Sequence, residues 1–344
     1  MNNSTEHNQP LSNYLSAPIE VGKPDVDGPL AVFPLFGPAA QLSYRAFADP
    51  DSGSTITELE GGASVNDLLI HNAGSQPVLL YEGEEVLGAQ QNRVLDVSIL
   101  AAAESKTRIP VSCVEQGRWD GRRHRERFRP SRQTADPRMR RMKNRRARAN
   151  VAAGREARAD QGEVWREVAA RGVELEAESP TGAMADIYAA HRDRLASHRT
   201  AISRRPGQCG AVAVIEGRIA MLDFVGRPEV YAVLHDAIVE GYALDALAAA
   251  RLPLVDATAR GEAVDDSTVR GFTLLACDTV PGSLTRGAGM GETARFAANG
   301  VEGSALLAEG EIVQMTAFPA NDDEDGGLRR RAARRISRPS RRRH

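Results

Sequence analysis

Fourteen Lys and Arg against three acids occupy residues 118–148, and nine further arginines with no acid occupy residues 329–344. Any fold of this chain has to place that charge. The rest carries 21 basic and 43 acidic residues, a net charge of −22, although the whole chain stands at only −2. Either the basic segments lie on the protein's own acidic groups or they are kept free to grip phosphates. Charge counting leaves both open.

With 344 residues, 42% of them hydrophobic and 26% charged, the chain has material for one large or two ordinary domains with a real core. No apolar run approaches the ~20 residues that span a bilayer. The start, MNNSTEHNQPLSNYLS, lacks the basic-then-apolar order of a secretory signal. Cys113, Cys209 and Cys277 lie too far apart for a disulfide framework or a paired-cysteine zinc site. The expectation is a cytoplasmic protein with no membrane partner and no cysteine-based metal site, while a divalent metal at the carboxylates stays open.

Along the chain the pattern changes character four times. Residues 1–27, polar with three prolines, are expected to lack order, as is the Arg-rich tail 321–344. Residues 28–120 read as short strands in a sandwich-like arrangement: Ala31–Phe36, Ser64–Ile70, a turn at Asn72–Ser75 with Pro77–Tyr81 returning, Val94–Leu100, and Arg108–Val114 with Pro110 suggesting an edge. Residues 121–205 favour helix, with Pro130 and Pro137 as interruptions and the long helix starting near Met139. Residues 184–202 space Met184, Ile187, Tyr188, His191 and Leu195 as one amphipathic helix. Residues 206–320 read as strands at 211–215 and 219–224 around a Glu216-Gly217 turn, then a helix from Pro228 to about Ala250. Further strands are expected at Phe272–Cys277, 304–307 and 312–318, the last two joined at Glu309-Gly310. The fold class is α+β: a β-rich first half, a helical Arg-rich middle and a C-terminal unit of two strands, a helix and more strands, all sharing one core.

One stretch is more polar than a strand connection requires. Tyr81 to Arg93 (YEGEEVLGAQQNR) puts carboxylates, amides and an arginine within thirteen residues, and Ser112 to Trp119 (SCVEQGRW) repeats the theme. A shared sheet would bring the two together. Glu84, Glu85 or Glu115 then supplies a general acid or base, Arg93 and Arg118 an anion clamp, Gln91 and Asn92 amide contacts, and Trp119 a face to cover a ring. The competing reading is an ion network that pins a turn. Cys113 is a candidate nucleophile beside Arg118, though a small buried hydrophobe is the commoner role for a strand cysteine. His191 and His198 lack the companion ligands of a zinc site. Gly287, Gly289 and Gly291 (RGAGMG) match no phosphate-loop spacing and read as a flexible loop.

The segments EGEEVLGAQQNR, RIPVSCVEQGRW and GAVAVIEGRIAMLDFVGRPEVYAVLHDAIVEGYALDAL resemble the bacterial ARG-and-rhodanese-phosphatase-superfamily-associated protein domain over roughly residues 28–319. That resemblance implies genomic company with ADP-ribosylglycohydrolases and rhodanese- or phosphatase-like proteins. By association it implies a ligand of the NAD or ADP-ribose type. It marks Glu84, Glu85, Gln91, Asn92, Arg93, Cys113, Glu115, Arg118 and Trp119 without giving them roles, and it names no cofactor.

The expected function is therefore an enzyme acting on a small nucleotide-like ligand. A non-catalytic sensor using the same pocket is the first alternative. The second is a polyanion- or nucleic-acid-binding accessory protein using the arginine segments. Against the latter, Phe128 is the only aromatic between Arg122 and Val164, where stacking on bases would want more.

Overall fold

The computed structural model describes residues 9–251 and 264–320. The chain opens with short strands β1 (Glu20–Val21) and β2 (Asp25–Asp27), then β3 (Leu30–Phe36). Nine strands follow: β4 (Arg45–Ala46), β5 (Ser54–Thr57), β6 (Asp67–Asn72), β7 (Val78–Leu80), β8 (Glu84–Leu87), β9 (Arg93–Leu95), β10 (Ile99–Ala101), β11 (Ser105–Cys113) and β12 (Arg129–Thr134). Helices α1 (Pro137–Ala152), α2 (Gln161–Leu175), α3 (Met184–Ala190) and α4 (Arg192–Ala201) come next. The last third is β13 (Gln208–Ile215), β14 (Arg218–Val225), α5 (Pro228–Ala249), α6 (Asp266–Cys277), β15 (Ser283–Arg286), β16 (Glu292–Ala298), β17 (Val301–Ala308) and β18 (Glu311–Pro319). The fold is α+β, and no helix among the described residues is long and apolar enough to cross a membrane.

Two sheet systems face each other across the helices. The larger has the order β1-β3-β13-β14-β18-β17-β16-β15, with β2 also on β3. Its β13–β14 hairpin turns at Glu216 (φ 49°) and Gly217 (φ 73°), two positive φ values in a row that match the right-handed twist of the strands. Alternate residues serve two cores. On one face Cys209, Val212, Leu222, Phe224 and Met315 pack under α6; on the other Ala211, Ala213, Met221, Val225 and Leu306 pack against α5 and its neighbours. The smaller system pairs a six-stranded sheet (β12-β8-β9-β11-β6-β5) with a three-stranded one (β10-β7-β4). Ile70, Leu80, Val86, Leu95, Val111 and Phe128 fill the space between them.

α1 joins the two systems. The face of the large sheet turned toward it carries a polar row: Asp223, Thr316, Ser304, Glu302 and Arg295 are all buried. Arg140 donates to Asp223 at 2.6 and 2.9 Å and to Glu82 at 3.0 Å, while Tyr81 and Tyr242 add hydroxyl bonds to the same aspartate. Lys143 points the other way, to Asp96 (3.1 Å) and the Leu95 carbonyl (2.8 Å) in the smaller system. Arg141, Arg145 and Arg148 converge on Glu302, Asn144 bonds Ser304, and Arg138 pairs with Glu167 and Glu174. The cations of α1 are thus placed against the protein's own acids.

Several sequence expectations are corrected. Residues 9–27 contribute to the fold: Leu11 is fully buried under α6 and donates its N–H to the Thr279 carbonyl (3.1 Å). Ala31–Phe36 lies in β3, yet besides the short β1 and β2 its partner is β13 of the C-terminal unit rather than another strand of residues 28–120. The strand after Asn72 does not return beside β6 but enters the three-stranded sheet. Buried Asn72 pins that corner through the carbonyls of Gln76 and Ala102, both near 2.9 Å. Val94–Leu100 is likewise split between β9 and β10, one in each sheet. Pro110 lies in an interior strand, at the last register pair with β6 before Val111 takes up β9. Arg129–Thr134, read as helix, is a strand because β8 offers it a sheet edge. Pro137 begins α1 instead of interrupting it, since a first helical position has no N–H bond to lose and Asp136 caps the turn. The 184–202 helix breaks at His191. Phe272–Cys277 is the second half of α6, capped by Asp265, because a short apolar run does not declare its period. Finally, α5 is buried nearly all round, and of its apolar residues Val233 is 38% exposed. The tail 321–344 lies outside the described residues.

Removing the carboxylate from Asp223 leaves the buried Arg140 cation with Glu82 as its one acid. Asp223→Asn is therefore expected to cost about 3–5 kcal/mol in urea unfolding. The double variant Arg140→Met/Asp223→Asn should recover part of the loss. A single variant within about 1 kcal/mol of the parent would show that the pair does not hold the sheets together.

Candidate functional site

The two polar segments meet because β9 and β11 pair, with Cys113 opposite Arg93. The turn before β9 uses Gly88 (φ 135°) and Ala89 (φ 42°), and a Cβ on Gly88 would sit 3.0 Å from the Arg127 carbonyl. Beyond the pairing, the Val114 N–H donates to the Asn92 carbonyl and the Gln91 amide to the Glu115 carbonyl, each at 3.1 Å. Gln91, Asn92, Arg93, Glu115, Arg118 and Trp119 are thus brought together.

Within that group the charges are organised in two sets. Glu115 accepts from Arg118 (2.6 Å), the Asn92 N–H (3.1 Å) and the Thr181 hydroxyl (3.0 Å). Burial raises its proton affinity, but the Arg118 hydrogen bond and charge outweigh this and hold the carboxyl below its usual range. Arg118 also donates to the Ala89 carbonyl and Asn92 Oδ1, so it closes the turn as well as pairing with Glu115.

Arg93 forms the second set. It is fully buried, donates to Gln91 Oε1 (3.1 Å) and the Ser64 carbonyl (3.4 Å), and leaves Nε without a partner. Its guanidinium carbon lies 5.8 Å from the ring centre of Trp119, which is 50% exposed. At 4.0 Å stands Glu58, buried at the end of β5 and without a side-chain hydrogen-bond partner. Burial raises the Glu58 proton affinity against the pull of Arg93. Gln90 leaves its side-chain oxygen unbonded and contacts His124 Nδ1 at 3.2 Å. Glu58 went unread because nothing local in TITELEGG marks one acid as buried.

Glu84 and Glu85 sit apart from this group. Glu84 accepts the Tyr81 N–H (2.7 Å) and Glu85 accepts the Gln133 amide (2.6 Å), rather than pairing with Arg93 or Arg118. Burial pushes both carboxyls up to about 8. Glu84 lines a pocket of about 430 Å³ between β12 and α5, beside Arg132, Gln133, Arg199 and Asp236.

The lesser candidates resolve individually. Cys113 is fully buried and burial raises its thiol, so it stays protonated at neutral pH. His191 bonds the Leu175 carbonyl between α3 and α4, and His198 faces Asp27. Among the described residues no three His, Cys, Asp or Glu side chains gather as metal ligands. The RGAGMG segment connects β15 to β16.

The family model for the ARG and Rhodanese-Phosphatase-superfamily-associated Protein domain matches residues 18–318. Comparison with curated proteins and with solved structures gives no match.

The two buried carboxyls make stability depend on pH in a definite direction. Glu84 and Glu85 release their protons near 4.5 when unfolded and near 8 when folded, so the folded state holds the extra protons. The stabilisation is complete below pH 4.5 and is lost as pH rises through 8. Tm measured across that window should fall less steeply in Glu84→Gln and Glu85→Gln than in the parent. Parallel curves would place the two carboxyls in a wetter setting than the one described.

Proposed function

The chain belongs to the ARG and Rhodanese-Phosphatase-superfamily-associated Protein domain family, and from that premise we propose that it binds and chemically transforms a small nucleotide derivative of the NAD or ADP-ribose type. The observation that carries this reading is the half-exposed Trp119 ring backed by the buried, incompletely bonded Arg93, with the Glu58 carboxyl beside them. An indole with a cation behind it is a stacking platform for a flat heteroaromatic ring. Unused donor capacity on Arg93 suits a phosphate or ribose oxygen, and the amides of Gln90, Gln91 and Asn92 stand close by.

In this scheme Glu58 is the group that gives or takes a proton, because a buried carboxyl with a raised proton affinity is poised nearer neutrality than a free one. Glu115 stays ionised and anchors Arg118, which keeps the 88–92 turn in place under the ligand. Glu84 and Glu85 act away from the ring, within the buried layer that supports β8. A polyanion-binding role has less to draw on, since Arg138, Arg140, Lys143 and Arg146 are ion-paired within the chain.

The test is a thermal-shift comparison with NAD, ADP-ribose and ribose phosphates on the full chain. Ligand at ~100 times its Kd should stabilise by ~2.7 kcal/mol, a shift of a few degrees. Trp119→Ala, at an exposed position, should weaken binding by about tenfold or more. Glu58→Gln should keep the shift and lose turnover. A shift with no turnover in the parent would make the protein a ligand sensor, and no shift with any of these compounds would remove the nucleotide reading.

A further inference from the structure

Arg295 stands at the centre of β16, in register with Ser304 of β17, on the sheet face turned toward α1. It is 4% exposed, and among the described residues its guanidinium has no hydrogen-bond or ion-pair partner. Arg140, equally buried, is held by two acids and Arg171 by three. The acid whose charge acts on Arg295 is Glu82, which is already bonded to Arg140, and Arg148 adds a second positive charge. Burial lowers its proton affinity to about 10, so it remains a cation at neutral pH. A buried cation without a counter-charge is strongly unfavourable unless something else supplies one.

Arg295 lines a cavity of about 390 Å³, within the size range of small-ligand sites. Arg286, Thr285 and Thr293 border the same space, and one wall is aliphatic, with Ile99, Leu100 and Leu306. Arg155 also reaches it while bonded to Asn150, and the one acid on the lining, Glu156, is taken up by Arg158. The rim is the RGAGMG loop. Two of its glycines answer to packing: the Met290 N–H donates to the Leu100 carbonyl (2.7 Å), and a Cβ on Gly289 would come within 2.4 Å of that oxygen, while Gly291 has φ 78°. Gly287 meets only Thr293 Oγ1 at 3.9 Å, so packing alone does not account for it.

We propose that this cavity binds a phosphate-bearing small molecule, with the phosphate seated on Arg295 and the apolar body of the ligand against Ile99, Leu100 and Leu306. Phosphate fits better than carboxylate because its three terminal oxygens and near-double charge match two guanidinium groups and two threonine hydroxyls. The site is separate from the Trp119 group and does not depend on the reading given to it.

The experiment is a melting series of the full chain with phenyl phosphate, inorganic phosphate, benzoate and chloride at matched ionic strength. Both phosphates should raise Tm, phenyl phosphate more at equal concentration because it also fills the aliphatic wall; benzoate and chloride should not. Arg295→Met should melt no lower than the parent without ligand, since it removes an uncompensated charge, and should lose the phosphate response. Arg286→Ala, at the exposed rim, should weaken phenyl phosphate binding by about tenfold with its ligand-free Tm unchanged, which keeps the test decisive if Arg295→Met does not fold. Trp119→Ala should leave the response intact. A phosphate effect no larger than that of chloride, or one that survives in the Arg295 or Arg286 variant, would overturn the proposal.

Discussion

The contact between Arg140 and Asp223 sets the terms for the rest of the molecule. Asp223 comes from the large sheet, Arg140 from α1, and Glu82 and Tyr81 from the smaller sheet system, so one buried cluster ties together three parts of the chain. Burying such charges is costly, and the cluster persists because the aspartate is met by Arg140, Tyr81, Tyr242 and Thr316 together. A network of this kind tolerates little displacement, and it bonds the two sheet systems to each other through α1.

Seen from that contact, the basic middle of the chain is an internal element. A helix placed between two sheets that both bring acids to it needs cations on nearly every side, and α1 supplies them: Lys143 toward Asp96, Arg140 toward Asp223, Arg141, Arg145 and Arg148 toward Glu302. The net −22 of the remaining chain and the excess of cations in 118–148 are therefore partly the two halves of one interface. Arg295 is the exception on the same sheet face. The acid that acts on it, Glu82, is engaged by Arg140, and Arg295 lines a cavity instead.

Legibility in the sequence followed the range of the interaction. The hairpin turns at Glu216-Gly217 and Glu309-Gly310 and the helix opened by Pro228 were readable, because backbone conformation and near-neighbour spacing determine them. The meeting of the 81–93 and 112–119 segments on a shared sheet was readable in part: β9 pairs with β11, but the seven-residue strand expected to link them is split between two sheets. Glu58 was not, because its burial comes from the 88–92 turn and from Arg93, thirty and more residues away. The separation of Glu84 and Glu85 from Arg93 was equally hidden: adjacent strand residues point to opposite faces, and only the packing of β12 and α5 shows where those faces lead.

By itself the sequence determined the α+β class, the family, the local turns and caps, and the polar segments that come together beside β9 and β11. Tertiary structure alone decided that β3 completes a sheet with β13, about 180 residues later, and that Phe272–Cys277 coils as helix under that sheet. It also decided that the arginine run turns inward. The reason is physical: local conformation depends on a few neighbouring residues, whereas the cost of burying a cation depends on which acids the whole fold brings within about 3–4 Å of it.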